Sequence, residues 1–356
     1  MQAIGLMSGT SMDGVDAAWV ETDGHVISQF GQGHFAAYSA EERAVLVAAQ
    51  GSWPRVSNAL AATADIVQRR HIAAVRALPA AQVVGFHGQT LAHDPDGGRT
   101  HQLGDGRAMA DALGVPVVWD FRSADMQAGG QGAPLAPFFH HACARWAGLS
   151  EPVAFLNLGG VGNVTWVDPN IEQPQAAGAL LAFDTGPANA LLDDFMQDRT
   201  GVPQDAGGLA AARGGLVADH VDFADGYFDV IPPKSLDRNG FQAVAAAARE
   251  MPTDQGAAFL TSFTVHSVAR AVQHLPRRPS RWLVCGGGRH NATIMAWLAD
   301  ALGGQVDPVE AVGLDGDMLE AQAFAYLAVR VLKGLPTSAP DTTGCAAPVC
   351  GGRISA

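Results

Sequence analysis

Apolar positions along this chain fall into two rhythms, short unbroken runs and helical spacings, and the switches between them mark its elements. Ile4–Met7 and Val15–Val20 read as strands, and a turn at Asp23-Gly24 with Val26–Phe30 completes a hairpin on the second run. Ser39–Gln50 and Ala61–Leu78 carry helical spacing, the first opened by a Ser39 cap with Glu42 three residues on. Val83–Phe86 is a buried strand ending in His87-Gly88-Gln89-Thr90. Gly106–Leu113 is a helix, and Val115–Trp119 is a strand that delivers Asp120, Phe121 and Arg122 at its end. Strands alternating with helices require a parallel component in the sheet. The Gly/Gln-rich stretch Gln127–Ala133 then breaks the rhythm and leads towards a second domain.

The second half opens as the first did. Val153–Leu158 is an apolar strand, followed by Gly159-Gly160-Val161-Gly162-Asn163 and a strand over Val164–Val167. In the first half the matching turn holds Gly9, Thr10, Ser11, Met12, Asp13 and Gly14. Glycines let the backbone approach a ligand, hydroxyls add donors, and successive N–H groups make a concavity for anions such as phosphate. No lysine follows Gly14, so this is not a Walker A loop. The same residues are ordinary β-turn chemistry, so each turn alone reads either way. A third turn, Gly286-Gly287-Gly288-Arg289-His290-Asn291, follows a strand at Trp282–Cys285 and opens a helix through Ala299. Three glycines allow a flat ligand to lie on bare backbone beside a helix N-terminus. Two matched hairpin turns can grip one polyphosphate from opposite sides, so order and spacing carry more than any single turn.

Composition narrows the class. A chain of 356 residues exceeds what one core usually serves, so two domains are expected. No apolar run reaches the ~18 residues of a membrane span, and the N-terminus enters a strand without a basic segment, so a cytoplasmic protein with no membrane partner is expected. The four cysteines are scattered, which suits reduced thiols; Cys345 and Cys350 are close enough for a metal or disulfide reading, but no ligand cluster accompanies them. A net charge of −13 opposes a nucleic-acid surface without opposing phosphate binding by backbone N–H groups.

The order of the turns resembles the acetate-and-sugar-kinase, heat-shock-chaperone and actin superfamily, with two phosphate loops and one adenosine loop. Within it, GTSMDGVD, GFHGQT, QLGDGR, NLGGVGNVT, FDTGPAN, PPKS and CGGGRHN together resemble the anhydro-N-acetylmuramic acid kinase family, from Gly5 to about Leu335. The resemblance implies an α/β fold of two actin-like (ribonuclease H-like) domains with a nucleotide and substrate cleft between them. The boundaries expected are 1–130, 131–335 and a tail, 336–356, that packs back on the first domain or stays loose. It implies ATP and Mg²⁺, conversion of 1,6-anhydro-N-acetylmuramic acid to N-acetylmuramic acid 6-phosphate in cell-wall recycling, and a homodimer. Mapped onto this chain, the nucleotide residues are Gly9, Thr10, Ser11, Met12, Asp13, Gly14, Val15 and Asp16 in the first turn. Asn157, Gly159, Gly160, Gly162 and Asn163 serve in the second, and Gly286, Gly287, Gly288 and Asn291 in the third.

Asp184, in Phe183–Asn189, ends a strand just before a helix, where a carboxylate can take a proton from water or simply cap the helix. With the resemblance it becomes the base. The bridged sugar has no free hydroxyl at carbon 6, so Asp184 would activate water against the anomeric carbon while the bridge oxygen takes the γ-phosphoryl group. His87, Arg122 and Glu320 are candidates for sugar contacts, each with a plain alternative: a backbone-satisfied histidine, an ordinary ion pair, a charge favouring a helix start. Lys234 either positions a loop or is solvated. The chain departs from its superfamily at Met7 and Asn157, where aspartates are often found, and Ser235-Leu236-Asp237-Arg238 stands where Ser-Thr-Gly-Arg is expected, so the metal ligands stay unassigned. The rival functions are an ordinary sugar or acetate kinase and a non-catalytic nucleotide-dependent sensor.

Overall fold

The apolar run after Met1 becomes β1 (Gln2–Ser8), paired antiparallel with β2 (Gly14–Thr22), which pairs in turn with β3 (Ile27–Ala37). This computed structural model describes residues 1–9, 11–54, 60–217, 226–236 and 241–356. Helix α1 (Ala40–Ala48) starts where expected. Ser39 Oγ accepts the Glu42 N–H at 3.2 Å and the Glu42 carboxylate accepts the Ser39 N–H at 2.9 Å, satisfying two donors that the helix leaves open. After α2 (Ala61–Arg76), β4 (Val83–Asp94) runs parallel to β1. It continues well past Phe86, where a strand end was expected, because β5 (Arg99–Leu103) folds back on it as an antiparallel partner. Then come α3 (Gly106–Leu113), β6 (Val117–Trp119) parallel to β4, α4 (Ser123–Gln127) and α5 (Pro137–Trp146).

The next segment repeats the plan. β7 (Val153–Leu158), β8 (Val161–Val167) and β9 (Leu180–Pro187) form an antiparallel set. The helices α6 (Asn189–Thr200), α7 (Leu209–Gly214), α8 (Gln242–Arg249) and α9 (Thr253–Ala271) follow. β10 (Arg281–Cys285), α10 (Ala292–Leu302) and β11 (Gln305–Pro308) complete it, with both strands parallel additions to β7. Leu156, Val164, Phe183, Trp282 and Val284 of this sheet join Val265 and Val268 of α9 and Ile294 and Leu298 of α10 in one buried cluster. That face of the sheet is therefore committed to the core.

Strand order is the same in both sheets. The first reads β3-β2-β1-β4-β6 and the second β9-β8-β7-β10-β11, each a three-strand meander extended by two parallel strands. This is the ribonuclease H-like order of actin-like domains, present twice.

The units divide differently from the expected boundaries at 130 and 335. One compact unit is Met1–Gly148 with Met318–Ala356, and the other is Leu149–Asp317. The reason lies in α11 (Leu319–Leu332), which lies directly on β1 and β4. A Cβ on Gly5 would come within 1.9 Å of the Ala321 carbonyl oxygen, and one on Gly85 within 2.1 Å of that of Phe324. Only glycines admit the helix backbone that close. α5 stays with this unit because Phe139 stacks edge-on to Phe30 and contacts Tyr326 of α11. The tail is ordered onto the same unit: α12 (Pro340–Thr343) follows Ser338, and β12 (Arg353–Ser355) pairs antiparallel with β6. Buried Asp125 anchors it, one carboxylate oxygen accepting Ser338 Oγ at 2.5 Å and Thr343 Oγ1 at 2.6 Å.

Candidate active site

Asp184 sits on β9, held on three sides by one loop. Its N–H donates to the Lys234 carbonyl at 3.0 Å, its own carbonyl accepts the Tyr227 hydroxyl at 2.8 Å, and its Oδ2 accepts the Leu236 N–H at 2.8 Å. Burial pushes the carboxyl up to about 6, while the Leu236 N–H pulls the other way. The capping alternative is removed: α6 starts after Ala188 and has no side-chain cap. Lys234 is buried, not solvated. Its ammonium donates to the Tyr227 and Phe228 carbonyls at 2.8 and 3.3 Å and lies 4.5 Å from the centre of the Tyr227 ring. Desolvation lowers its pKa. The Pro232-Pro233-Lys234-Ser235 motif therefore buttresses Asp184 through its backbone.

Around the second turn, the Gly159 carbonyl accepts the Asn189 N–H at 3.0 Å, and that of Gly160 accepts Ala188 and Ala190 at 3.1 and 3.2 Å. The Asn189 carboxamide adds a bond to the Leu158 carbonyl at 2.8 Å, so the start of α6 braces the turn. The third turn leans on the end of β7. Gly286 has φ +73°, and a Cβ there would come within 2.3 Å of Asn157 Oδ1. The buried Arg289 guanidinium binds the Gly286 carbonyl at 3.0 Å, Glu310 at 2.9 Å and Asp317 at 2.7 Å. Asn291 uses its side-chain oxygen to cap α10 through the Ile294 N–H at 3.0 Å. Gly287 is exposed and Gly288 buried. Cys285, Asn157, Asn163 and Asp184 are successive register partners across four strands.

The first turn is tied down by a residue that motif reading passes over. Gln89 Nε2 donates to the Gly9 carbonyl at 2.9 Å, and its Oε1 lies 2.5 Å from Ser8 Oγ, which is 2.9 Å from the Gly14 carbonyl. A glutamine in an apolar strand is the signal that could have exposed it. Met12, fully buried at φ +52°, returns its N–H to Gly9 at 3.2 Å. Ser11 and Asp13 are exposed and joined at 2.7 Å, while Gly14 and Val15 are buried in the start of β2. Asp16 stands opposite Met7 in the β1–β2 register. Thr10 lies outside the described residues, as do Asp237 and Arg238.

His87, Arg122 and Glu320 come together in the first unit. The His87 Nδ1–H donates to the Gly88 carbonyl at 2.8 Å, which leaves Nε2 as the acceptor for Arg122 Nε at 3.2 Å and Nη2 at 2.9 Å. Burial, and then the adjacent guanidinium, hold His87 well below its ordinary pKa, so it stays neutral. Arg122 also donates to the Gly132 carbonyl at 2.7 Å, and burial lowers it to about 10 against the opposing pull of Glu320 and Asp125. Glu320, in the first turn of α11, is reached by solvent, yet desolvation raises its carboxyl, with Arg122 acting against that. Beside His87, a cavity of about 160 Å³ is lined by Gln102, Trp119, Asp120 and Ser123. The GFHGQT, QLGDGR and post-β6 segments thus converge at one end of the sheet. Among the described residues no group of three or more His, Cys, Asp or Glu could hold a metal, and all four cysteines are free.

Comparison with known proteins identifies the family. The family model for anhydro-N-acetylmuramic acid kinase matches residues 1–356. An anhydro-N-acetylmuramic acid kinase 1 of Jannaschia sp. (strain CCS1) is 58% identical, covering 99% of this chain and 94% of its own. Proteins called anhydro-N-acetylmuramic acid kinase in Cereibacter sphaeroides and Ruegeria sp. (strain TM1040) are 57% and 54% identical, covering 99% and 100% of this chain and 95% of each relative.

Proposed function

This chain belongs to the anhydro-N-acetylmuramic acid kinase family and is an enzyme of that activity, and from that premise we propose how its residues divide the work. The overall reaction consumes the bridged sugar, water and ATP and yields N-acetylmuramic acid 6-phosphate and ADP, a step of cell-wall recycling. Asp184 takes a proton from water as the water oxygen bonds to the anomeric carbon. The bond from that carbon to the bridge oxygen breaks, and the bridge oxygen receives the γ-phosphoryl group while ADP leaves. Glycosidic cleavage ordinarily uses a second carboxylic acid to protonate the leaving oxygen. Here the phosphoryl group takes that role, so one carboxylate suffices.

The observation that carries this reading is Asp184 itself: desolvated, with a carboxyl raised to about 6, and gripped by a loop that leaves one oxygen for a ligand. A base poised near neutral pH is what proton abstraction from water requires. The glycine turns are assigned to the nucleotide, Gly9–Asp16 and Asn157–Asn163 to its phosphates and Gly286–Asn291 to its adenosine. Positioning and electrostatics dominate phosphoryl transfer, so the contacts of Gln89 with Gly9, Asn189 with Leu158 and Arg289 with Gly286 suit it. Arg122, with His87 and Glu320 beside it, is assigned to the sugar, its guanidinium to the lactyl carboxylate. Mg²⁺ bound with nucleotide phosphates needs only one or two protein carboxylates, and Asp13 and Asp16 at the first turn fit that need. When bound, Mg²⁺ neutralises charge on the phosphates.

The reading includes a cytoplasmic homodimer, and no helix among the described residues is long and apolar enough to cross a membrane. Protein incubated with ATP and the bridged sugar should give a product heavier by water plus a phosphoryl group. A phosphoryl gain alone, or preference for ordinary N-acetylmuramic acid, would replace this reading with a simple sugar kinase.

A further inference from the structure

We propose that Asn163 holds the attacking water against Asp184, making it a second residue of the hydrolytic step and not a phosphate ligand. This rests on the functional reading above and revises it at one residue, moving Asn163 from the phosphate turn to the attacking water.

The argument begins with register. Asn157, Asn163 and Asp184 are direct partners across β7, β8 and β9, so their side chains leave the same face of the sheet, the one opposite α9 and α10. That alignment is built by an irregularity. Gly162 pairs with Gly186, yet Asn163 pairs with Asp184, leaving Thr185 as an extra residue on β9. Without it Asp184 would face Val164, whose side chain is buried in the core cluster. A one-residue slip exchanges the faces of a strand, and bulges commonly re-aim a side chain beside an active site. Gly162 makes room for the bulge, since a Cβ there would lie 2.7 Å from Thr185 Oγ1.

The two asparagines of the row have different surroundings. Asn157 Oδ1 is packed against Gly286 of the third turn. The Asn163 side chain is half-buried and makes no hydrogen bond to another described residue. Its neighbour Asp184 has Oδ2 occupied by the Leu236 N–H, which leaves Oδ1 for a ligand. Directly opposed Cβ atoms stand about 4.5–5.5 Å apart, a span that one water can bridge between two short polar side chains.

Chemistry supplies the reason for a second partner. A carboxylate alone fixes one O–H of a water and leaves the molecule free to rotate about that bond. If the Asn163 carboxamide oxygen accepts the other O–H, the lone pair is aimed. As the oxygen bonds to the anomeric carbon, one proton passes to Asp184. The other stays on oxygen as the new anomeric hydroxyl, still bonded to Asn163, and the bridge oxygen leaves towards phosphorus.

The test compares wild type, Asn163→Ala and Asn163→Asp in turnover of the bridged sugar, with nucleotide-analogue binding as the check on folding. Loss of orientation should lower kcat about 10–100-fold in Asn163→Ala while KM for ATP stays within about twofold. Asn163→Asp keeps the shape but sets a like charge beside Asp184, so the acid limb of its pH profile should move upward. A tenfold rise in KM for ATP with kcat intact would return Asn163 to the phosphate turn and overturn the proposal. So would an acid limb unmoved in Asn163→Asp. Wild-type protein that leaves the bridged sugar unchanged would instead overturn the functional reading, and this inference with it.

Discussion

Leu236 donates its backbone N–H to Oδ2 of Asp184 at 2.8 Å, and this is the contact that restrains the upward push of burial on that carboxyl. Removing it tests the balance. A hydrogen bond to a charged group contributes about 1.5–3 kcal/mol, so Leu236→Pro should move the acid limb of the rate profile up by about one to two pH units. A pH–kcat profile of that variant against wild type is the measurement, and an unmoved limb would show that the contact does not tune the base.

In the wild-type enzyme the base must be ionised, so kcat should rise with pH through about 6 and level off above it. A profile flat from pH 5 to 8 would exclude Asp184 from the rate-limiting proton transfer.

The same shift has a cost in stability. The folded pKa of about 6 lies above the ordinary aspartate value of 3.8, so the folded state binds the extra proton. Stability tied to this group is present below the lower value and is lost as pH rises through the upper one. Asp184→Asn should therefore be more stable than wild type at pH 7.5 by at most about 1–3 kcal/mol, read as a higher melting temperature, while losing about 10²–10⁴-fold in activity. Full activity in a folded Asp184→Asn protein would sink the assignment.

Close helix–sheet contact in the first unit makes its own prediction. Gly85→Ala drives a methyl against the Phe324 carbonyl, and Gly5→Ala does the same at Ala321. Neither neighbour is a flexible side-chain tip, so each variant should lose at least about 1–3 kcal/mol. Urea denaturation midpoints would show this, and a midpoint equal to wild type would mean that α11 can lift without penalty.

Asp125 predicts the behaviour of the tail. Asp125→Ala leaves the Ser338 and Thr343 hydroxyls and the Gly132 N–H without their buried acceptor, at about 1–3 kcal/mol for each group left unsatisfied. The expected result is faster proteolytic cleavage after residue 336, read by mass. Because the Gly132 carbonyl also holds Arg122, KM for the sugar should rise in the same variant.

Much of this was legible in sequence because the signals were local. Ser39 with Glu42 announces a capped helix start, and apolar runs flanked by glycine turns at Leu158 and Cys285 announce strands. The length of β4 was not legible, since the residues after Phe86 extend only because β5 returns to pair with them. Nor was the division of the chain, because the glycine at position 5 that seats α11 is written with the same letter as a glycine in any flexible turn. At the site, Asp184 was visible as a polar residue closing an apolar run, although the strand carries on past it to Pro187 because β8 keeps pairing with it. Burial of Lys234 and the role of Gln89 depend on partners distant in sequence, Tyr227 and Phe228 for one and Gly9 for the other.

The return of residues 318–356 to the first unit has a consequence for biosynthesis. Leu149–Asp317 is continuous and can reach its native state while translation is still under way, as domains generally do when they fold as units. The first unit cannot: its sheet stays uncovered at Gly5 and Gly85, and its β6 edge stays unpaired, until α11 and β12 have left the ribosome. The segment translated first is thus finished last, and a nascent chain stalled before Met318 would carry an exposed apolar sheet for chaperones to shield.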